Sequence, residues 1–229
     1  MTWTRELLRS KSKALAIHLG ISAAIFVPLL GLIWFAWFPP PFFYTDGGWQ
    51  GVRIMLIVDM VIGPTLTFLV WNPAKTRRAL TVDYVFICTV QLAALVYGYV
   101  SVESKRVMAV AYHEGAFTAV TKDRFVSQKF DRSEWSRLGQ RAPYWVYVRA
   151  PTTPDERAGA LAFELTASAF RHELFFLYDP LSAHAGELRG ELREGLRFFP
   201  LKGYFRLAQL GFDDRLQLQA VEYGPEMPN

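Results

Sequence analysis

The sequence predicts a membrane protein, a three-helix transmembrane bundle carrying a small α+β soluble domain. Three observations carry this. Long apolar runs fill the first hundred residues, Lys and Arg cluster on alternate flanks of those runs, and charged residues with strand-like alternation return after Val102. The division expected is a transmembrane domain over 1–104 and a soluble domain over 105–229. The mean hydropathy of +0.13 therefore averages two unlike halves.

The first run, 14–38, contains no charged residue. At 1.5 Å per residue it is long enough for a hydrocarbon core of about 30 Å. A cleavable signal would end in small residues, whereas this run ends Trp34-Phe35-Ala36-Trp37-Phe38-Pro39, an interfacial aromatic belt. The span is expected to stay. Pro39-Pro40-Pro41 and Gly47-Gly48 break the chain before a second span over 52–71; Asn72-Pro73 ends it, and a third covers 82–102.

Charge sets the orientation. Arg5, Arg9, Lys11 and Lys13 precede the first span and Lys75, Arg77 and Arg78 follow the second, while residues 39–51 hold no Lys or Arg. The positive-inside bias puts the N-terminus in the cytoplasm and everything after Val102 on the far side. Topology thus accounts for much of the net charge of +4 and the pI near 9.2, so no nucleic-acid partner is expected. The lone Cys88 sits in an apolar run and cannot form an intrachain disulfide.

Polar residues inside spans need a reason. Asp59 falls near the middle of the second, where a carboxylate costs at least ~2.5–3.5 kcal/mol on insertion scales. Gly63-Pro64 follows, and Pro64 should free the Met60 carbonyl and kink the helix, with Thr65 and Thr67 re-satisfying backbone groups. Gln91 lies at similar depth in the third span. An Asp59–Gln91 hydrogen bond would act as helix glue; a titrating pathway would need more relay groups than Asp59 alone. His18 and Asp83 lie near span ends, where snorkelling and a first-turn cap explain them.

These stretches, Val58-Asp59-Met60-Val61-Ile62-Gly63-Pro64-Thr65-Leu66-Thr67 and Gln91-Leu92-Ala93-Ala94-Leu95-Val96-Tyr97-Gly98, resemble the type IV pilin accessory proteins of the TfpX/TfpZ kind. Ile17-His18-Leu19 and Phe199-Pro200-Leu201-Lys202-Gly203 fit the same pattern. The resemblance implies a bacterial inner-membrane protein with a periplasmic C-terminal domain, which helps type IV pilin assemble into pili. It brings no catalytic residue, metal or cofactor. It marks Asp59, Gly63, Pro64, Gln91, Tyr97 and Gly98 as structural or pilin-contacting, with major pilin and the lipid bilayer as partners. Gly63, Ala93, Ala94 and Gly98 would permit close helix approach, to pilin or among the chain's own spans.

In the soluble half, Val107 to Tyr112 and Phe117 to Val120 read as strands around Glu114-Gly115, and 143–148 as a third. Helices are expected over 156–170, with Leu161, Leu165, Ala169 and Phe170 on or near one face, and over 182–196; strands return over 198–205 and 216–223. No phosphate loop or nucleophile elbow is visible. Adjacent His113-Glu114 and His172-Glu173 lack the helical spacing of a zinc pair, although with His184 they are the candidates for a metal. Arg132, Trp135, Arg137, Arg141 and Trp145 form either a contact patch for an acidic surface or a solvated rim. An assembly factor that is not an enzyme is the leading expectation. The alternatives are a membrane-anchored sensor with a deep apolar pocket, or a transporter or enzyme using Asp59.

Overall fold

The computed structural model describes residues 4–127, 135–139, 141–166 and 177–227. The chain divides into two compact units. One comprises residues 1–37 and 48–103; the other comprises residues 38–47 together with 104–229.

Three helices form the first unit: α1 (Arg5–Trp37), α3 (Gly48–Val70) and α4 (Arg77–Ser104), all long and apolar enough to cross a membrane. Each begins several residues before the expected span, because polar flanks carry the helical ladder beyond the apolar core. Thr4 caps α1 by accepting the Leu7 N–H at 3.4 Å, and Thr76 accepts the Ala79 N–H ahead of α4. Asp83 is therefore past the first turn, and it pairs with Lys75 at 2.7 Å rather than acting as a cap.

Just before Pro64, α3 contains a π-helical stretch, Ile57–Ile62. The Gly63 N–H reaches back five residues to the Val58 carbonyl, and the Thr65 hydroxyl donates to the Val61 carbonyl at 2.6 Å. The wider turn absorbs the missing proline donor while keeping the backbone around it bonded. Glycines set the spacing of α3 and α4. A side chain at Gly51 would meet Val102, one at Gly98 would meet Met55, and one at Gly63 would overlap the Gln91 amide. The register is antiparallel, with small residues alternating between the two helices.

The second unit is a mixed eight-stranded sheet: β1 (Val107–His113), β2 (Ala116–Thr121), β3 (Tyr144–Val148), β4 (Tyr178–Pro180), β5 (Glu191–Arg193), β6 (Leu196–Lys202), β7 (Arg206–Phe212) and β8 (Leu218–Glu226). The order is β4-β3-β1-β2-β6-β7-β8, with β5 paired to the first half of β6. β1 lies between β2 (antiparallel) and β3 (parallel), and is buried along almost its whole length. Two turns share one chemistry. Glu114-Gly115 and Glu194-Gly195 both place two successive residues at positive φ, the geometry of a tight hairpin. The second turn overturns the helix expected over 182–196: Leu181–Glu187 is a 3₁₀ segment, followed by the β5–β6 hairpin. Strand β7, which the sequence reading missed, pairs with both β6 and β8.

After a short helix α5 (Lys122–Ser127), one sheet face packs Ala109, Ala111, Val146 and Val148 with Leu138 of α6 (Trp135–Leu138) and Ala160 of α7 (Pro154–Thr166). Thr153 and Glu156 form a reciprocal cap at the start of α7: Thr153 accepts the Glu156 N–H, and the Glu156 carboxylate accepts the Thr152 and Thr153 N–H groups. Ala160 is buried here, whereas Leu161 is 58% exposed. The other face carries an aromatic cluster in which Trp145 lies 5.4 Å from both Phe117 and Phe212. Phe42, in the short helix α2 (Phe42–Thr45), packs on Trp145 at 6.2 Å. Residues 38–47, between α1 and α3, thus belong to the same compact unit as the sheet.

Candidate functional site

The Asp59–Gly63–Pro64 motif turns inward. Val52, Met55, Asp59, Gly63 and Thr67 are buried at three- and four-residue spacing, one stripe along α3. Pro64 is buried beside them. No Asp59–Gln91 hydrogen bond is seen. The ionisable neighbour of Asp59 is His18, which is itself hydrogen-bonded through Nδ1 to the Thr67 hydroxyl at 2.5 Å rather than snorkelling. Gln91 and Gly98 are half-buried on the inner face of α4, whereas Tyr97 is 76% exposed and stands apart from them. A helix turns 100° per residue, so positions 91 and 98 share a face that 97 leaves.

Lys11 is a functional-looking residue that charge counting hid among the flanking cations. It is buried, and its ammonium donates to the Phe68 and Leu69 carbonyls at 2.9 and 3.0 Å. These are among the last carbonyls of α3, which have no partner within their own helix, and a cation there also meets the negative end of the helix dipole. The Trp71 indole N–H donates to the Ser10 hydroxyl at 2.9 Å beside it. The seven-residue spacing of Lys11 and His18 on α1 was the available signal.

In the sheet domain, the loop is fastened by Asp46. Its carboxylate accepts the Thr45 hydroxyl at 2.6 Å and the Tyr204 N–H at 3.3 Å, and the Thr45 carbonyl accepts the Phe205 N–H at 2.8 Å. A side chain at Gly203 would strike the Thr45 backbone and the Arg206 carbonyl, so the Leu201-Lys202-Gly203 run ends where the loop must approach closely. Burial pushes the Asp46 carboxyl up to about 6, against the two donors that hold it down. The folded state therefore binds the proton more tightly than the unfolded chain, so stability is full below about pH 4 and falls as pH rises to 6. Asp46→Asn keeps a polar partner for both groups without the charge. It should stabilise the domain by up to about 3 kcal/mol at pH 7.5 and by almost nothing at pH 4. Thermal unfolding at the two pH values checks this.

Of the predicted contact patch, Arg141 and Trp145 line one cleft. Arg132 lies outside the described residues, and Trp135 lies in α6, its side chain outside the description. Arg137 is exposed and paired with Asp179 at 3.1 Å. Trp145 belongs to the aromatic cluster; with the exposed Arg141 it borders a cleft of about 280 Å³. Asp179 also pairs with Arg149 and with His184 Nε2, whose Nδ1 bonds Glu187 at 2.7 Å while its ring stacks on Tyr147. Arg149 in turn pairs with Glu156, holding that carboxyl well below the usual range. A larger open cleft of about 520 Å³ lies along Tyr112, Tyr147, Arg149 and Arg157. His172 and Glu173 lie outside the described residues, among which no cluster of His, Cys, Asp or Glu suited to a metal is found.

No family model matches the chain, and no solved structure does. Three proteins of Dichelobacter nodosus are similar to it. The fimbrial assembly proteins of serogroup E1 and of serogroup I are each 30% identical over 111 residues, 48% of this chain and 43% of theirs. The fimbrial assembly protein of serogroups C1 and C2 is 30% identical over 111 residues, 48% of this chain and 85% of that protein. The chain thus spans less than half the length of the E1 and I proteins it matches.

Proposed function

The chain belongs to the fimbrial assembly protein family, and on that premise we propose that it is a non-enzymatic inner-membrane accessory factor of type IV pilus biogenesis, of the TfpX/TfpZ kind, acting by contact with pilin. Its N-terminus lies in the cytoplasm and its sheet domain in the periplasm. The observation that carries this reading is the likeness to proteins named for fimbrial assembly. The bundle adds a constraint on how contact is made. Asp59, Gly63, Gln91 and Gly98 are engaged within the chain's own helices, so they position the bundle and leave other faces for a partner. The outward face of α4, with Phe86, Val90, Ala93 and Tyr97 at helical spacing, offers aromatic and small side chains to a hydrophobic pilin helix.

Deletion of the gene should abolish or sharply reduce surface pili and twitching, and the wild-type gene should restore them. Wild-type piliation in the deletion strain would overturn the proposal. Complementation by Asp59→Asn separates it from a transport or enzyme role: an uncharged isostere preserves function if Asp59 only organises helices.

A further inference from the structure

The sheet domain exposes a group of large apolar side chains in one region. Tyr204 is 74% exposed, and Tyr44, Tyr223, Leu207 and Met227 are each more than a third exposed. They are held together. Tyr44 and Tyr223 meet edge to face at 5.6 Å, the Arg206 guanidinium lies 5.5 Å over Tyr223, and Arg206 Nε donates to the Gly224 carbonyl. The Met227 N–H donates to the Phe205 carbonyl at 2.8 Å, and the Tyr204 N–H to Asp46 at 3.3 Å. Glu226, opposite Arg206 in the β7–β8 register, is the acidic residue of this group.

What covers such a surface follows from where the chain puts it. Residues 38–47 join Trp37, the last residue of the first apolar helix, to Gly48, the first of the second. Four residues of chain, at most about 14 Å when extended, separate Tyr44 from Gly48. Tyrosine is enriched at the headgroup level of membranes, where its ring is buried and its hydroxyl stays wet, and an arginine suits lipid phosphates. A protein partner would also accept aromatic residues, yet only the bilayer is tied by the covalent chain to this side of the domain.

We propose that Tyr44, Tyr204, Arg206, Tyr223 and Met227 form a lipid-contacting surface, seating the sheet domain on the headgroup layer of the membrane its helices cross. The proposal rests on the reading of α1, α3 and α4 as membrane spans. It makes the loop segment a second attachment, one that fixes which face of the domain is turned away from lipid.

The test uses the full chain with Cys88→Ala, its sole cysteine removed, reconstituted in phosphatidylethanolamine–phosphatidylglycerol vesicles. Single nitroxide labels are placed at Tyr204→Cys, at Leu192→Cys and at Phe86→Cys. Leu192 is 72% exposed on β5, beside the opposite end of β6 and on the order of 20 Å away along the strand. Collision with oxygen, which concentrates in lipid, is compared with collision with a water-soluble nickel complex. The ratio at Tyr204 should exceed that at Leu192 at least threefold, with Phe86 higher still. Equal ratios at Tyr204 and Leu192, with Phe86 lipid-like, would overturn the surface while leaving the spans intact. A water-like Phe86 label would overturn the spanning reading and the surface together. Shielding of Tyr204 that appears only when purified pilin is added would also overturn it, assigning the patch to a protein.

Discussion

Replacing residues 38–47 with a ten-residue Gly-Ser linker is expected to unfold the sheet domain. Phe42 and Phe43 are almost fully buried, and Phe42 covers Trp145 on the aromatic face. Truncating a buried phenylalanine costs about 3–5 kcal/mol, so losing two costs about as much as the 5–15 kcal/mol that a whole domain has in reserve. The linker would also remove the Thr45–Phe205 and Asp46–Tyr204 bonds, leaving buried partners unsatisfied. Phe42→Ala alone should lower stability by about 3–5 kcal/mol. Pulse proteolysis of residues 104–229 and near-UV circular dichroism read the outcome. A native-like domain with the linker in place would reduce the segment to a mere connector.

The second large effect is expected in the bundle. At Gly63 even a methyl group would occupy the space of the Gln91 amide. Gly63→Leu should force α3 and α4 apart, with a loss of about 3 kcal/mol or more, at the upper end of overpacking penalties. Gly63→Ala is the more informative change. Its cost, about 1–3 kcal/mol, should be largely relieved by a second change, Gln91→Ala, which clears the same space. Unfolding of the four proteins in mixed micelles gives the coupling energy. Additive effects, with no relief, would mean that Gly63 and Gln91 do not meet.

How much of this was legible depends on the scale of the signal. The three long apolar helices were readable because hydrophobicity acts over twenty residues, and their ends missed by several residues because caps such as Thr4 and Thr76 lie outside the apolar stretch. Partner choice was less legible. Period alone puts Asp59 and Gln91 at one depth, but the rotation of each helix gives Asp59 to His18 and sets Gln91 against Gly63. Lys11 was read as topology, although its burial at the end of α3 makes it a cap. In the sheet domain, Glu114-Gly115 was recognised as a turn while the identical Glu194-Gly195 was passed over inside an assumed helix; the same positive-φ requirement governs both. The hold of residues 38–47 on the sheet was beyond reach, because Asp46 meets Tyr204 across 158 positions of sequence. The packing of Phe42 on Trp145 was out of reach for the same reason, since the two lie about a hundred positions apart.

Contact with pilin is the centre of the functional account, and site-specific photo-crosslinking in piliated cells tests it most directly. A photoreactive residue is placed in turn at Phe86, Ala93 and Tyr97 on the outer face of α4, and at Gln91 on its inner face. The account predicts an adduct with pilin, identified by antibody and mass, from the outer positions and none from Gln91. Outer positions that yield no pilin adduct in cells that assemble pili normally would contradict it.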